Sequence, residues 1–275
     1  MYCINLKHRE DRWERFLSQP ELTKLKSHYK FERFEGINGA TIDIKNDSRI
    51  SLRTKRNIKE HIRRDHEELD SAGGVGCYLS HTSAWKKFLE RDEPYAIIFE
   101  DDAVIPPGFT ERFHTAMKDV TLLPTMPDIW SFSSIHDYYY ESKGKPLPAS
   151  VKNYNYGPWT THVCTTFTGY LITKAGAKKL LETAFPIDMH VDMYTCLVEE
   201  VGKILSVKHA NVVTPAYSLK ENDTDIQVTQ DCPICNVPTH YREKGMILVS
   251  IPVTVIALGV VAALYVLGRH GSMRR

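Results

Sequence analysis

Short apolar runs along this chain alternate with longer segments whose apolar residues return every three or four positions. The runs at 2–6, 31–37, 95–99, 128–133 and 204–214 have the length and the β-branched and aromatic content of buried strands. Between them, the spacing predicts helices over 10–18 and 21–26, divided at Pro20, and then over 77–89, 110–117, 174–183 and 191–200. In the 77–89 helix the apolar members are Leu79, Trp85, Phe88 and Leu89. Residues 163–173 read as a strand interrupted at Gly169, Asn38-Gly39 and Pro106-Pro107-Gly108 as turns, and Gly73-Gly74 as a break. The stretch 142–158, rich in Gly, Pro, Ser, Lys and Asn, reads as a loop at the mouth of a site. Residues 49–69 are heavily charged, with Leu52, Ile58, Ile62 and Leu69 on a rough helical stripe. They read as a solvated helix, the alternative being a cap over an acceptor. Strands alternating with helices place the chain in the α/β class.

The 95–99 run passes directly into Glu100, Asp101 and Asp102. Side chains alternate along a strand, so Glu100 and Asp102 share a side while the extended form lasts. Like charges this close need solvent, a proton or a cation. Oxygen ligands at a strand's carboxyl end suit Mn²⁺ or Mg²⁺, above all an ion shared with a diphosphate. The alternative is a strand end whose acids face water. In open α/β sheets ligands gather at the carboxyl ends of strands. Asn5 closes the first strand as the acids close the later one, so a single cleft is expected.

Bulk properties narrow the partners. The chain has 275 residues, room for one large domain, and its 35 basic against 34 acidic residues give a net charge of +1. Nothing in that balance calls for a polyanion, and no nucleic acid partner is expected. Residues 246–268 form a 23-residue stretch without charge. At ~1.5 Å per residue this is long enough for a hydrocarbon core of ~30 Å, and basic residues flank both ends. The expected organisation is a catalytic domain over 1–217, a linker over 218–245, a transmembrane helix over 246–268 and a short basic tail over 269–275. Lys7–Arg15 is too charged for a signal peptide core. The expectation is therefore a single-pass, tail-anchored membrane protein with its bulk in the cytosol, although the three arginines of the last seven residues pull the other way. Cys232 and Cys235 form a lone CxxC that reads as buried thiols, with a metal or redox role, aided by His240 or His209, as the alternative.

Five blocks, in order and spacing, resemble glycosyltransferase family 25, which includes bacterial lipooligosaccharide galactosyltransferases and collagen β-galactosyltransferase-like proteins. They are Ile4-Asn5-Leu6-Lys7-His8-Arg9-Glu10-Asp11-Arg12, then Gly76-Cys77-Tyr78-Leu79-Ser80-His81 followed by Trp85, then Ile98-Phe99-Glu100-Asp101-Asp102, then Thr168-Gly169-Tyr170-Leu171-Ile172 with Gly176, and Val191-Asp192. The resemblance covers roughly 2–215. It implies a GT-A-type nucleotide-sugar fold in a single domain, a UDP-sugar donor, Mn²⁺ (or Mg²⁺), and transfer of a hexose, galactose first, to a glycan, lipid-linked or protein acceptor. Animal relatives act in the secretory pathway, commonly with export signals, and that departure leaves the acceptor open.

Carried onto these residues, the resemblance makes Glu100 and Asp102 metal ligands. It makes Asn5, Leu6, Arg9, Arg12, Ser80, His81 and Asp101 donor-binding. Inverting transfer needs a carboxylate base, for which Asp192 comes first and Asp188 second; either could instead cap the following helix. Arg9 and Arg12 stand where a diphosphate would lie, the alternative being pairing with Asp11 or Glu14. Asn5 reads uracil or ribose, or caps the next turn. Ser80 and His81, expected early in a helix, would favour an anion through its N-terminal dipole; the alternative for His81 is a structural ring. His190 and His209 are further candidates for a metal or phosphate. Two rival classes stay open: a non-catalytic nucleotide-sugar-binding membrane scaffold, and a metal-dependent phosphohydrolase, which would want a nucleophilic Asp at a separate strand end.

Overall fold

In the computed structural model, residues 1–62, 68–120, 126–133, 159–161, 167–200, 202–215 and 226 are described. All fall in one folding unit, residues 1–63 and 67–230. Its frame is an eight-stranded sheet made of β1 (Tyr2–Asn5), β2 (Glu32–Glu35), β3 (Tyr95–Glu100), β4 (Ala103–Val104), β5 (Ile129–Ser133), β6 (Trp159–Thr161), β7 (Gly169–Thr173) and β8 (Ser206–Pro215). The order is β2-β1-β3-β7-β5-β8-β4, with β6 also on β8. β1 runs parallel to β2 and β3, and β5 parallel to β8, while β7 is antiparallel to both its neighbours. The helices are α1 (Glu10–Leu17), α2 (Pro20–His28), α3 (Leu52–Glu60), α4 (Ala72–Leu89), α5 (Phe109–Val120), α6 (Lys174–Thr183) and α7 (Val191–Glu200). The expected α/β class is what forms, as a mixed, parallel-rich sheet that fits the expected GT-A-like fold.

The alternation within β3 shows why helices cover both faces. Ala96 and Ile98 pack with Tyr78, Trp85, Phe88, Tyr170 and Leu180 on the α4 side. Ile97 and Phe99 pack with Phe16, Leu22, Phe109, Phe113 and Trp130 on the side of α1, α2 and α5. A strand apolar on both sides must be buried on both sides.

Two local expectations are corrected and one is refined. Gly73-Gly74 is not a break: α4 starts at Ala72, capped by Ser71, whose hydroxyl accepts the Gly74 N–H at 3.0 Å. Glycine is required there for closeness, since a Cβ at Gly76 would stand 2.5 Å from the Ile37 carbonyl oxygen and one at Gly39 2.1 Å from that of Ala72. The division at Pro20 forms as expected, with Pro20 itself taking the first position of α2. Among the described residues of the charged stretch 49–69, Leu52–Glu60 alone is helical, and it ends at His61 with φ 51°. Leu52 is 85% exposed there, while Leu69 is fully buried.

Among the described residues no helix is long and apolar enough to cross a membrane. The 246–268 segment, the basic tail, the CxxC pair, the 142–158 loop and all of the 218–245 linker except Ile226 lie outside the described residues.

Candidate active site

The acidic triplet is divided by the pleat that built the core. β3 ends at Glu100, and the alternation that turns Ala96 and Ile98 toward α4 turns Glu100 the same way. Its Oε1 lies 3.1 Å from Nε2 of His81 on α4. Asp101 faces the opposite layer, where Arg12 of α1 donates to its Oδ1 at 3.1 Å. The parallel register sets Ile4 beside Glu100, so Asn5 arrives next to Asp101 and donates to its Oδ2 at 2.6 Å. Asn5 also donates to the Arg9 carbonyl at 3.0 Å, and its own oxygen accepts Nε–H of Arg33 on β2 at 2.8 Å. Asp101 therefore ties the ends of β1 and β3 to α1.

Glu100, Asp102 and Asp192 form the electronegative part of the site. Burial first, then the charge of Asp101, pushes Glu100 up to about 7. Burial, then Glu100 and Asp101, raises Asp102 to about 7. Asp192, in the first turn of α7, rises to about 7 through burial, with the Glu100 charge adding to it and the Met193 N–H opposing it. Oδ1 of Asp102 is buried with no hydrogen-bond partner. Clustered carboxylates, one with an unsatisfied buried oxygen, are a donor set that suits a hard divalent cation. Glu100 and Asp102 would hold it, and the ion's charge would return their protons to solvent.

His81 is fully buried, and burial pushes it down to about 3, so the ring is neutral. Its Nδ1 lies 2.9 Å from the Tyr170 hydroxyl, which also accepts Nε1–H of Trp85 at 2.8 Å. Ser80 is buried too, donating to the Gly76 carbonyl at 2.7 Å and accepting the Ile37 N–H at 2.8 Å. Because α4 begins at Ala72, both residues sit mid-helix rather than at its positive end, which corrects their expected anion-binding placement. Arg9 spans Asp11 with contacts of 2.9 and 2.8 Å, and Arg12 holds Asp101 across the strand ends. Asp188 belongs to a separate network. It accepts from Ser51 at 2.6 Å and from Arg53 at 2.9 Å, fastening the segment before α3 beside the isolated bridge between Ile50 and Ile187.

Sequence reasoning missed Arg33, Tyr170 and Trp85 as members of this network. Arg33 lies 28 positions from Asn5, and only strand pairing brings them together. Tyr170 was visible inside the fourth block, but nothing in the chain marks its hydroxyl as the partner of His81.

Beyond the ends of β1 and β2 opens a cleft of about 500 Å³, whose lining includes Lys7, His8, Glu35 and Asn38. A cavity of about 510 Å³ lies at the opposite, amino ends of β1 and β3, among Tyr2, Tyr29, Arg91 and Tyr95. None of the clustered acids lines either cavity, but Glu100 closes β3 at its carboxyl end, the same end of the parallel β1 and β2 at which the cleft opens, so we assign the chemistry to the carboxyl ends.

A family model described as Glycosyltransferase family 25 (LPS biosynthesis protein) matches residues 1–195. The chain is 28% identical over 254 residues to procollagen galactosyltransferase 1-A of Xenopus laevis, covering 90% of this chain and 37% of that protein. It is 23% identical over 244 residues to procollagen galactosyltransferase 2 of Homo sapiens, covering 88% and 35%. It is 29% identical over 171 residues to inactive glycosyltransferase 25 family member 3 of Mus musculus, covering 62% and 26%. The chain thus spans little more than a third of the length of the procollagen galactosyltransferases it matches.

Proposed function

The chain belongs to glycosyltransferase family 25, and from that premise we propose that it moves a hexose, galactose first, from a UDP-sugar to a hydroxyl of a glycan, lipid-linked or protein acceptor, with inversion. The observation that carries this reading is the acidic pocket itself: Glu100, Asp102 and Asp192 are all raised to about 7, and Asp102 keeps an unsatisfied buried oxygen. The names of two relatives, procollagen galactosyltransferases 1-A and 2, favour galactose.

Each residue then has a task its surroundings suit. Glu100 and Asp102 hold Mn²⁺, which when bound would stabilise negative charge on the departing diphosphate. Asp192 takes the acceptor proton; a carboxyl near neutrality suits a general base working at neutral pH. Lys7, on the wall of the cleft beyond β1, supplies positive charge to the diphosphate. Arg12 and Asp101 support the site by locking the strand ends, and Asn5 by joining them. The uncharged 246–268 segment supports attachment to a membrane. Deleting residues 246–275 is expected to move the protein to the soluble fraction with UDP release intact.

The deciding experiment measures Mn²⁺-dependent UDP release from UDP-galactose by the wild type and Asp102→Asn. We expect the variant to fold and to lose roughly two orders of magnitude in turnover, the scale for removing one charge-stabilising group. Undiminished release by Asp102→Asn overturns the assignment. The mouse relative named inactive makes a nucleotide-sugar-binding scaffold the second reading; it predicts UDP binding without release of sugar by the wild type.

A further inference from the structure

We propose that Cys77, His81 and Glu100 form a thiophilic metal site that takes Zn²⁺ and, in doing so, withdraws Glu100 from the diphosphate metal. Cys77 and His81 stand one helical turn apart on α4 and so share a face. Together with Glu100 at the end of β3, they bring one sulfur, one ring nitrogen and one carboxylate oxygen all within 4.8 Å of one another. The nitrogen and oxygen are already 3.1 Å apart. Tetrahedral zinc with Zn–S of ~2.3 Å and Zn–N or Zn–O of ~2.1 Å sets its ligands roughly 3.4–3.6 Å apart, so a contraction of about 1 Å on the sulfur side completes the site. Three protein ligands and a water fill four positions. Sulfur, imidazole and carboxylate are a set that favours zinc over magnesium, whereas the carboxylates Glu100 and Asp102 alone do not.

The surroundings fit a bound zinc ion. With Nε2 on the metal, the ring carries its proton on Nδ1 and donates it to the Tyr170 oxygen, 2.9 Å away. Tyr170 is held in turn by Trp85. A ligating histidine is ordinarily oriented by such an outer hydrogen bond. The thiol binds with loss of its proton: the S–H bond breaks, the sulfur–zinc bond forms, and the proton passes to solvent. Without metal that thiol stays protonated, because burial and then the charges of Glu100, Asp192, Asp102 and Asp101 push it well above its ordinary value.

Zinc binding stands on the triad alone; only its inhibitory consequence rests on the transferase reading, so the two are measured separately. The full chain carrying Cys232→Ser and Cys235→Ser, which removes the CxxC thiols, is titrated with Zn²⁺ by calorimetry and with Co²⁺ by absorption, with no nucleotide present. We expect one tight site, a sulfur-to-cobalt charge-transfer band, and at least tenfold weaker zinc binding with loss of that band on adding Cys77→Ser or Cys77→Ala. Should both additions disturb folding, zinc absorption spectroscopy of the 1:1 complex of the parent serves instead, a sulfur neighbour at ~2.3 Å being expected. A shell of nitrogen and oxygen alone, a missing cobalt band in the parent, or unchanged zinc affinity in a folded Cys77→Ser protein overturns the site. In the second measurement, micromolar Zn²⁺ suppresses Mn²⁺-dependent UDP release in the parent and not in Cys77→Ser. Equal suppression in both removes the inhibitory role while leaving the transferase reading intact; absence of release at any zinc level counts against that reading instead.

Discussion

Asp101→Asn is the perturbation that tests how the site is braced. In the wild type its two oxygens accept from Asn5 at 2.6 Å and from Arg12 at 3.1 Å, and the side chains of Arg12 and Asp101 are each only 10% exposed. The substituted amide keeps one oxygen for Arg12, but the guanidinium loses its counter-charge, and the new NH₂ confronts the NH₂ of Asn5. A lost charge-assisted bond is worth about 1.5–3 kcal/mol and an unsatisfied buried donor about 1–3. We expect a net loss of about 3 kcal/mol, at the low end for breaking a buried ion pair, or about 6–12 °C in Tm for a chain this size. The assay is urea unfolding of four proteins: the wild type, Asp101→Asn, Asn5→Asp and the double swap. Asn5→Asp alone sets two carboxylates against each other. The swap restores a donor facing an acceptor and gives Arg33, already 2.8 Å from the Asn5 oxygen, a charged partner. It should therefore recover at least about 1 kcal/mol relative to the sum of the single losses. Additive losses, or a single loss under about 1 kcal/mol, refute the bracing argument. Removing this negative neighbour also lowers Glu100 and Asp102, so Mn²⁺ binding in Asp101→Asn should set in at lower pH.

Further outcomes follow from the same structure. With Glu100, Asp102 and Asp192 each near 7, Mn²⁺ affinity should fall at least tenfold as pH drops from 8 to 6, with proton release on binding; electron paramagnetic resonance of free Mn²⁺ reads this, and a flat profile refutes it. The same raised carboxyls mean that the metal-free fold binds more protons than the unfolded chain between their ordinary values and 7. Its stability should thus decline from pH 5 to pH 8 and be restored by Mn²⁺, as thermal melts would show. Glu21 behaves oppositely: burial pushes it up, but Lys24, the N–H groups of Gly108 and Thr110 and the Thr110 hydroxyl outweigh that and hold it at about 2. Since Lys24 is half-exposed and screened, Glu21→Gln should cost about 2 kcal/mol above pH 4.5, the gap closing as pH falls toward 2. Gly76→Ala puts a methyl 2.5 Å from one backbone atom and 2.8 Å from another, and should cost about 1–3 kcal/mol in denaturant unfolding.

What the chain disclosed in advance was whatever depends on period. β1, β3 and the α6 helix follow the expected runs because apolar alternation and helical spacing are local properties. The acids at the end of β3 were visible for the same reason. What stayed hidden depends on contact between distant segments. Gly73, Gly74 and Gly76 have the composition of a break, yet Ser71 caps the helix at Gly74 and the backbone of Ile37–Gly39 lies against Gly73 and Gly76. That shift of the helix start then moved Ser80 and His81 from an exposed end to a buried middle. Asp188 and Asp192 looked alike as carboxylates before or within a helix; Ser51 and Arg53, more than a hundred positions away, set them apart.

The division of Glu100 from Asp101 across the sheet has a consequence for how this site can vary. Neighbouring acids serve opposite layers, one as anchor and the other as ligand, and the exchange between those jobs is a single step along the backbone. A one-residue insertion anywhere in Tyr95–Phe99 would leave composition almost untouched, yet it would aim the anchor into the pocket and the ligand at α1. Strand length ahead of the acids therefore matters more to the site than the choice between Asp and Glu within them.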